Sequence, residues 1–517
     1  MAHSWKRDRA AEHIAAKIKD VKKVEIVDFK REMSLGNIPT AKAYRMKAVH
    51  LYADILNLDD MLNCTLSEGE TCHKRTLRFL DLHGRSVRRI LNRADALRVD
   101  FHNQRLHAVV HKPYDSDDEE DGGAEARRLH RAVAIAQLVI DVCAATGDDD
   151  EYVPAARVRV GIDSGLALVV NNGRNGGREP LFLGDPANHA AKFSAAGSAV
   201  GIFLTNNARR AIGLTEVKEP SKTKMTASEV ALSQADAKLG LDVEDLAEEW
   251  RADLAKNPLS NYEFSRHTPP LRTIDIIALT PSNSRRQEAV SVYADIDGFT
   301  AYVARHLEAR TSEDVVRALH VIRAELDRVM GVDFEGRRVR FIGDCIHGLL
   351  CEGTAQTTDD EETVSTAVLC AGALRSSFEL ALEKLDEEGV DVKKLGLAIG
   401  IEFGPMTLTR LGAHGDRLRC SVSRGVLASE SEQKRCTGTQ TAIGQVAYKS
   451  GTQAVRDLFG PSRRFDGLDY NEAVEGLAAD GDRTAKAIKA EAFAAAAPAV
   501  KRAADQVVTP YVEVGGE

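Results

Sequence analysis

The stretch Arg286–Thr300, RQEAVSVYADIDGFT, carries the pattern on which both the fold and the chemistry depend. Its first eleven residues repeat the stretch Arg45–Ile55, RMKAVHLYADI, with seven identities at an offset of 241. A run of apolar and β-branched residues that ends at an aspartate is typical of a buried strand followed by a turn. The chain is therefore predicted to contain this strand twice.

Two further pairs of segments continue the repeat in the same order. RVDFHNQRLHAVV begins at Arg98 and RVRFIGDCIHGLL begins at Arg338, at an offset of 240. VRVGIDSG ends at Gly165 and LGLAIGIEFG ends at Gly404, at an offset of 239. Strand segments that were alike by chance would not keep both the order and the offset. We infer that one folding unit has been duplicated within the chain.

Each copy is predicted to alternate strands with helices, which indicates an α/β sandwich. The division expected from the repeat is a first copy over residues 1–225, a helical connector over 226–285 and a second copy over 286–517 that ends in an Ala-rich helix. The main elements predicted for the two copies are strands at Ala48–Ala53 and Ala289–Ala294, hairpins around 103 and 343, and helices at Ala126–Cys143 and Thr363–Leu385.

Composition excludes several classes of protein. The 517 residues exceed what one hydrophobic core holds, and the net charge of −9 argues against general nucleic-acid binding. No apolar run is long enough to span a membrane, and the N-terminus lacks a signal peptide. The eight cysteines show neither CxxC pairs nor zinc spacing, so reduced thiols are expected. These features favour a cytoplasmic protein.

Two aspartates of the second copy form the candidate metal site. Asp295 ends the buried strand, and Asp344 follows Gly343 at the tip of the predicted hairpin. Either residue alone would be explained as a turn or cap residue. Two carboxylates presented from neighbouring strand ends can hold a pair of hard divalent ions, and such a pair assists in-line displacement at phosphorus.

The combination DIDGFT, followed after 49 residues by Asp344 of a Gly-Asp pair at the end of a strand, resembles the class III adenylate and guanylate cyclase family. The resemblance covers nearly the whole chain, once per copy. It implies two tandem cyclase-homology domains packed head to tail as a pseudo-heterodimer. It also implies that Asp295, the carbonyl of Ile296 and Asp344 bind two Mn²⁺ or Mg²⁺ ions, with Phe299 in the substrate site.

The first copy has lost this metal motif. DIDGFT is replaced by DILNLD (Asp54–Asp59), and the hairpin Gly-Asp is replaced by Asn103 and Gln104. A neutral amide is a poor substitute for a carboxylate between two cations. Asp54 is therefore interpreted as a relic or a cap.

The first copy instead keeps a different motif. GDPANHAAKF (Gly184–Phe193) resembles the family segment whose Asn orients the ribose and whose cation stabilises the α-phosphate. The resemblance assigns these roles to Asn188 and Lys192, although lysine lacks the two-pronged geometry of the family's arginine. The second copy has Leu427 and Ser431 there. One complete site is thus predicted between the copies, with Lys222, Lys224 and Arg417 as further candidate substrate-binding cations.

Two positions bear on the base. Asp100 and Leu181 stand where adenylate cyclases place the Lys and Asp that read adenine. An aspartate cannot donate to N1 and a leucine cannot accept from N6, and each buried mismatch costs about 1–3 kcal/mol. A carboxylate suits a base with a ring N–H, which both guanine and uracil have. Asp100 and Leu181 therefore do not distinguish guanine from uracil.

The domain organisation, two fused copies without a sensor domain, resembles that of the pyrimidine cyclases of bacterial Pycsar antiphage defence. This resemblance implies a uridylate cyclase that converts UTP to 3′,5′-cyclic UMP, whose diffusible product acts on a separate effector. Further dimerisation stays open. The alternatives are a guanylate or adenylate cyclase and a non-catalytic nucleotide-binding regulatory module. The pair Asp295 and Asp344 argues against the last, since a simple binder does not need two metal carboxylates.

Overall fold

Two mixed sheets with helices packed on them form the framework of the protein. The computed structural model describes residues 3–63, 67–102, 104–114, 122–147, 153–172, 180–259, 261–412 and 418–496.

The first sheet has seven strands in the order β3-β4-β2-β5-β6, with β1 beside β2 and β7 beside β5. Its strands are β1 (Glu25–Asp28), β2 (Lys42–Ile55), β3 (Leu97–His102), β4 (Arg105–Val110), β5 (Val158–Asn171), β6 (Pro180–Leu183) and β7 (Gly201–Leu204). The accompanying helices are α1 (Arg7–Asp20), α2 (Leu58–Leu62), α3 (Glu70–Arg93), α4 (Gly122–Ala145), α5 (Asp185–Ala195) and α6 (Asn206–Ala211).

The connector contains two helices, because the chain turns through a left-handed Lys238 and through Gly240 at φ 62°. Its elements are α7 (Ala227–Ala237), α8 (Val243–Lys256), β8 (Phe264–Ser265) and two 3₁₀ turns at Leu271–Thr273 and Pro281–Asn283.

The second sheet has eight strands in the order β10-β11-β9-β12-β14-β15, with β13 beside β12 and β8 beside β9. Its remaining strands are β9 (Ser284–Asp297), β10 (Arg337–Ile342), β11 (Cys345–Leu350), β12 (Gly396–Leu411), β13 (Leu418–Cys420), β14 (Gln440–Ile443) and β15 (Arg464–Asp466). The helices are α9 (Phe299–Glu308), α10 (Ser312–Arg328), which ends in a π turn at Val329–Asp333, α11 (Asp360–Glu387), α12 (Arg424–Lys434), α13 (Gln445–Ser450), α14 (Gln453–Phe459), α15 (Tyr470–Ala479) and α16 (Arg483–Ala496).

The duplication is confirmed by topology. The run β3-β4-β2-β5 of the first copy has the same order and pairing as β10-β11-β9-β12 of the second. The Ala-rich terminal helix is present as α16, and the predicted tail beyond residue 496 lies outside the described residues. No helix in the described ranges combines the length and the apolar character needed to cross a membrane.

The two copies share their hydrophobic cores. Leu168, Val170 and Leu181 on the β5–β6 hairpin of the first copy are buried in one cluster with Phe299 and Leu319 of the second. In return, the β12–β13 region of the second copy contributes Leu411, Cys420 and Val422 to the core of the first. Neither copy buries its apolar surface without the other.

The leading helices of the copies are exchanged. Helix α1 precedes the first sheet but packs on α10 and α11 of the second copy, whereas α8 precedes the second sheet but packs on α3 and α4 of the first. Just before α1, the Trp5 indole donates to Ser377 Oγ at 2.7 Å. Arg9 donates to Glu325 at 2.6 Å and also bonds Asp333. Residues 7–20, assigned by the repeat to the first copy, therefore complete the helical layer of the second.

The exchanged contact of α1 contains a buried ion pair, whereas an ion pair between α8 and α3 lies nearer the surface. Glu325 is fully buried, whereas exposed Arg93 pairs at 3.1 Å with half-buried Glu249. We expect Arg9→Gln to lower the free energy of unfolding by roughly 3 kcal/mol, because Glu325 is then left with His13, and buried Asp333 loses the arginine. We expect Arg93→Gln to cost less than about 1 kcal/mol. Urea unfolding of both variants measures this, and equal effects would contradict it.

Candidate active site

The two predicted metal carboxylates lie close together where the neighbouring strands β9 and β11 of the second sheet meet the β10–β11 turn. The antiparallel ladder between β9 and β11 ends at the pair Ala294–Ile346. The next residues along the two strands are Asp295 and Cys345, with Asp344 in the turn just beyond. Gly343 adopts φ 61° in this turn, a left-handed conformation that glycine reaches at little cost.

Burial and mutual repulsion destabilise the charged forms of both groups. Burial, followed by the charge of Asp297, raises the pKa of Asp295 to about 6. Burial and then the charge of Asp295 raise the pKa of Asp344 well above its ordinary value. The only hydrogen bond to the Asp295 side chain from the described residues comes from Gln433 Nε2, at 3.3 Å. The pair is thus short of positive charge.

This donor set fits hard divalent cations. In the part of the chain that the structure describes, no group of three or more His, Cys, Asp and Glu side chains is placed so that it could hold a metal ion by itself. Asp295, Asp344 and the main-chain oxygen of Ile296 would leave the other coordination positions to water and to substrate phosphates, as is usual for Mg²⁺. Two carboxylates that share a buried site without a balancing cation have elevated pKa values.

The first copy carries its own cation at the corresponding place. Arg105 Nη2 donates to Asp54 Oδ2 at 3.0 Å and Nε donates to the same oxygen at 3.3 Å. The repeat aligns Arg105 with Cys345, so the second copy has a neutral thiol where the first has a guanidinium. The Asp54 carboxylate is therefore already paired.

The two residues predicted to hold ribose and α-phosphate share helix α5. Asn188 is half-buried and Lys192 is exposed. Neither side chain bonds another residue within the described ranges. Helix α5 contacts α9 of the second copy, which begins two residues after Asp297. Both side chains are free for a ligand.

The base-reading candidates differ in their surroundings. Asp100 forms an ion pair with Arg340 of the second copy and accepts from the Phe101 amide at 2.8 Å. Arg340 also donates to the Phe101 carbonyl at 2.9 Å. Leu181 is buried in the shared core and offers no polar group. Asp100 thus lies at the contact between the copies, held by a charge partner.

The remaining candidates are placed less favourably. The Phe299 side chain is buried in the core, so only its backbone can face a substrate. Lys222 pairs with Glu219 at 2.7 Å, and Lys224 lies over Gly201 on the outside of the first copy. The structure does not bring either lysine into contact with the metal-site residues. Arg417 lies outside the described residues.

Comparisons with known proteins agree with this arrangement. Residues 282–439 match the family model described as adenylate and guanylate cyclase catalytic domain. A uridylate cyclase of Pseudomonas aeruginosa is 60% identical over 99% of this chain and 98% of its own length. A uridylate cyclase of a Rhizobium species is 40% identical, with 83% of each chain covered.

This chain belongs to the class III nucleotidyl cyclase family.

A solved structure supports the assignment of the whole chain. A class III adenylyl cyclase-like ATP-binding protein from Pseudomonas aeruginosa superposes with a TM-score of 0.90 at 61% identity, covering 92% of this chain and all of that one. The protein is therefore a nucleotidyl cyclase built of tandem cyclase domains, as the sequence predicted. The family model falls on the copy that has both aspartates of the predicted metal site.

The sequence interpretation of this cyclase missed three arginines: Arg105, Arg340 and Arg323 of α10. The signal for Arg340 was present, because Asp100 and Arg340 occupy the same repeat position. Equivalent positions near a pseudo-two-fold axis face each other across it. Opposite charges there predict a pair. For Arg105, the sequence signal was that the repeat aligns it with Cys345, so the first copy has a guanidinium where the second has a thiol.

The carboxylate pair makes the cyclase's response to metal depend on pH. Because the folded-state pKa of Asp295 is about 6, the metal-free fold loses stability as pH rises from about 4 through that value. We expect Mn²⁺ to raise the melting temperature more at pH 7.5 than at pH 5.5, where protons compete for the carboxylates.

Matched variants identify the site of this effect. Asp295→Asn and Asp344→Asn should each remove most of the Mn²⁺ shift and should raise the metal-free melting temperature at pH 7.5. Asp54→Asn should keep the shift, because Arg105 occupies that carboxylate. Differential scanning fluorimetry measures all four proteins. A shift that is independent of pH, or lost only in Asp54→Asn, would contradict the assignment.

The pair Asp100–Arg340 stabilises the contact between the cyclase copies. Arg340 is 8% exposed, so Asp100→Ala leaves its charge buried without a partner and should cost roughly 3 kcal/mol of unfolding free energy. Adding Arg340→Met should restore most of this loss, because the buried charge is gone. Thermal unfolding of the single and double variants tests the coupling. Additive losses would show that the two charges do not interact.

Proposed function

We propose that the protein converts UTP to 3′,5′-cyclic UMP and pyrophosphate, at one site formed between its two copies. The observation that carries the proposal is complementarity between the copies. The second copy has the adjacent carboxylates Asp295 and Asp344, and the first has Asn188 and Lys192 without intramolecular partners among the described residues.

In this reaction the ribose 3′-hydroxyl attacks the α-phosphorus, and pyrophosphate leaves along the line of attack. Two divalent cations at the carboxylate pair would lower the pKa of that hydroxyl and balance the charge of the leaving pyrophosphate. Asp295 and Asp344 hold their positions through the β9–β11 pairing. Asn188 would orient the ribose, and Lys192 would stabilise the charge that develops on the α-phosphate.

The pseudo-symmetry supports placing α5 opposite the carboxylates. Glu430 and Lys434 of helix α12 lie close enough to Asp54, across the interface, for their charges to act on it. Helix α5 is the repeat counterpart of α12, and Asp295 is that of Asp54. The same relation then directs α5 of the first copy toward Asp295.

The start of α9 offers backbone donors for phosphate. The first intrahelical bond of α9 is donated by Tyr302 to Gly298, so the amides of residues 299–301 have no partner within the helix. This explains how Phe299 can belong to the site although its side chain is buried: its amide, and not its ring, would face the phosphates.

Uracil is proposed on two grounds. Asp100 and Leu181 cannot make the contacts that adenine requires, and a carboxylate can accept from the uracil N3–H. The two curated relatives are uridylate cyclases. The solved relative is described as ATP-binding, so ATP is the competitor to test. In this proposal cyclic UMP is a second messenger of antiphage defence that acts on a separate effector.

The proposal is tested by giving the purified protein each of ATP, GTP, CTP and UTP with Mn²⁺ and identifying the products. We expect cyclic UMP from UTP and little cyclic AMP. The Asp100→Asn/Arg340→Gln variant, which removes both charges together, should lower kcat/KM for UTP about tenfold, because a charged acceptor is lost. Cyclic GMP or cyclic AMP without cyclic UMP would overturn the base assignment and leave the cyclase intact. No product from any nucleotide would favour the non-catalytic alternative.

The ribose and phosphate contacts should affect turnover more than affinity. We expect Asn188→Ala to lower kcat by at least about tenfold with a smaller change in KM, because orientation matters most in the transition state. Its control is Leu427→Ala, the same repeat position in the second copy, which should leave kcat within about twofold. A larger effect on KM than on kcat would contradict the orienting role.

A further inference from the structure

A buried arginine of the second copy is tied to the first copy near the metal carboxylates. Arg323 lies in α10 and is 6% exposed. In the described ranges no carboxylate lies within ion-pair distance of it, and its Nη2 donates to both the carbonyl and the side-chain oxygen of Asn172, each at 2.8 Å. Asn172 directly follows β5 of the first copy. Two neutral acceptors from the other copy thus receive a buried cation.

The same guanidinium supports the hairpin that carries Asp344. It stacks on the Phe341 ring at 3.8 Å from the centroid. Phe341 lies in β10, three residues before Asp344, so this contact fixes the end of the strand from which the turn emerges. The positive charge of Arg323 also opposes the rise that burial causes in the pKa of Asp344. Arg323 therefore acts on the carboxylate through packing and through its field, without bonding it.

A cavity of about 80 Å³ between the copies leaves room for movement here. Arg323, Phe341, Asn172 and Val170 are among the residues that line it. The Nε of Arg323 is buried and has no hydrogen-bond partner among the described residues. Arg323 is thus held by one residue, Asn172, at the end of β5 and lies beside this cavity. The contact between Arg323 and Asn172 can therefore form or break as the β5–β6 hairpin docks.

The first copy shows what the same position looks like without a metal site. The buried positions of α3 and α10 correspond at an offset of 239, which aligns Arg323 with Gly84, and the hairpins align Asp344 with Gln104. Gly84 lies against Phe101, the counterpart of Phe341. The residue before it, His83, donates from its ring to the carbonyl of Pro154, in its own copy, at 3.0 Å. Burial lowers the pKa of His83 to about 4, so it is neutral. The first copy also has a hydrogen bond across the interface here, because the Gly412 amide donates to Asp81 of α3 at 3.1 Å. A guanidinium at this position, however, occurs in the copy with the metal carboxylates.

We propose that Arg323 is a positioning residue that couples two events: docking of the β5–β6 hairpin of the first copy, and correct placement of Asp344 in the second. The metal site is then fully formed only when the copies are docked. This inference rests on the metal-binding role of Asp344 in the proposed function, and not on the identity of the base.

The two roles that Arg323 could have, positioning Asp344 and acting only through its charge, predict opposite results when the arginine is removed. If Arg323 acted only through its charge, Arg323→Met would strengthen metal binding, because a cation that repels Mn²⁺ is removed. If it positions Asp344, the same change weakens binding despite the more favourable field. Loss of a residue that supports a metal ligand typically costs roughly 10- to 100-fold in affinity or activity.

The experiment measures the Mn²⁺ requirement in two ways: by the concentration that gives half the maximal thermal shift, and by the concentration that gives half-maximal turnover at saturating nucleotide. We expect Arg323→Met to raise both by roughly tenfold or more and to lower kcat more than the KM for nucleotide. Arg323→Lys, which keeps the charge and one donor, should recover part of the loss. Asn172→Ala should raise the Mn²⁺ requirement although it lies in the copy that holds no metal ligand.

The control is His83→Met, which removes a buried polar group next to the corresponding position, Gly84, in the first copy and should leave the Mn²⁺ requirement unchanged. An unchanged or lowered requirement in Arg323→Met, or an equal rise in His83→Met, would overturn the inference. If Arg323→Met does not fold, Arg323→Lys and Asn172→Ala decide it. A wild-type Mn²⁺ shift that does not depend on Asp344 would overturn the metal site itself, whereas the wrong base would leave this result untouched.

Discussion

The fold depends on apolar surface that each copy can bury only against the other. The β5–β6 hairpin of the first copy completes the second core, the β12–β13 region of the second completes the first, and the leading helices α1 and α8 are exchanged. Because one continuous interface supplies both stability and the walls of the proposed active site, the relative position of the copies is set by core packing. Catalytic geometry that is divided between two domains needs such a constraint.

Within that interface, charge distinguishes the two copies. Both copies place an aspartate at the end of the strand β2 or β9, but the first neutralises it with Arg105 and the second surrounds Asp295 with another carboxylate and a thiol. A pair of like charges in a half-buried cleft is unfavourable for the fold alone. The pair becomes favourable only when an external cation balances it. Such a pair is typical of a binding site and not of a structural ion pair.

Much of this arrangement could be predicted from the sequence, and the exceptions have a common cause. The repeat indicated that both sheets share one strand order, and the motif around Asp295 and Asp344 identified their closeness, because these features depend on local pattern and on pairing between neighbouring strands. The exchange of α1 could not be predicted in this way. The repeat gives the two copies similar helical surfaces, and the sequence does not indicate which of them α1 covers. Arg340 and Arg323 act across the interface, where distance along the chain carries little information about contact.

The exchange of helices also sets an order of events during synthesis. Helix α8 emerges after its docking surface on α3 and α4 already exists, so it can pack at once. Helix α1 emerges before both sheets, yet the helices α10 and α11 that it covers are completed only about 310 and 370 residues later, which at a ribosomal rate of about 5–20 residues per second is an interval of about 15–70 s. Until α10 is made, the apolar face of α1, with Ala10 and Ile14, has neither of these partners. Helix α1 thus leaves the ribosome well before the helices that it packs on, and on a polysome the nearest completed second copy belongs to a neighbouring chain.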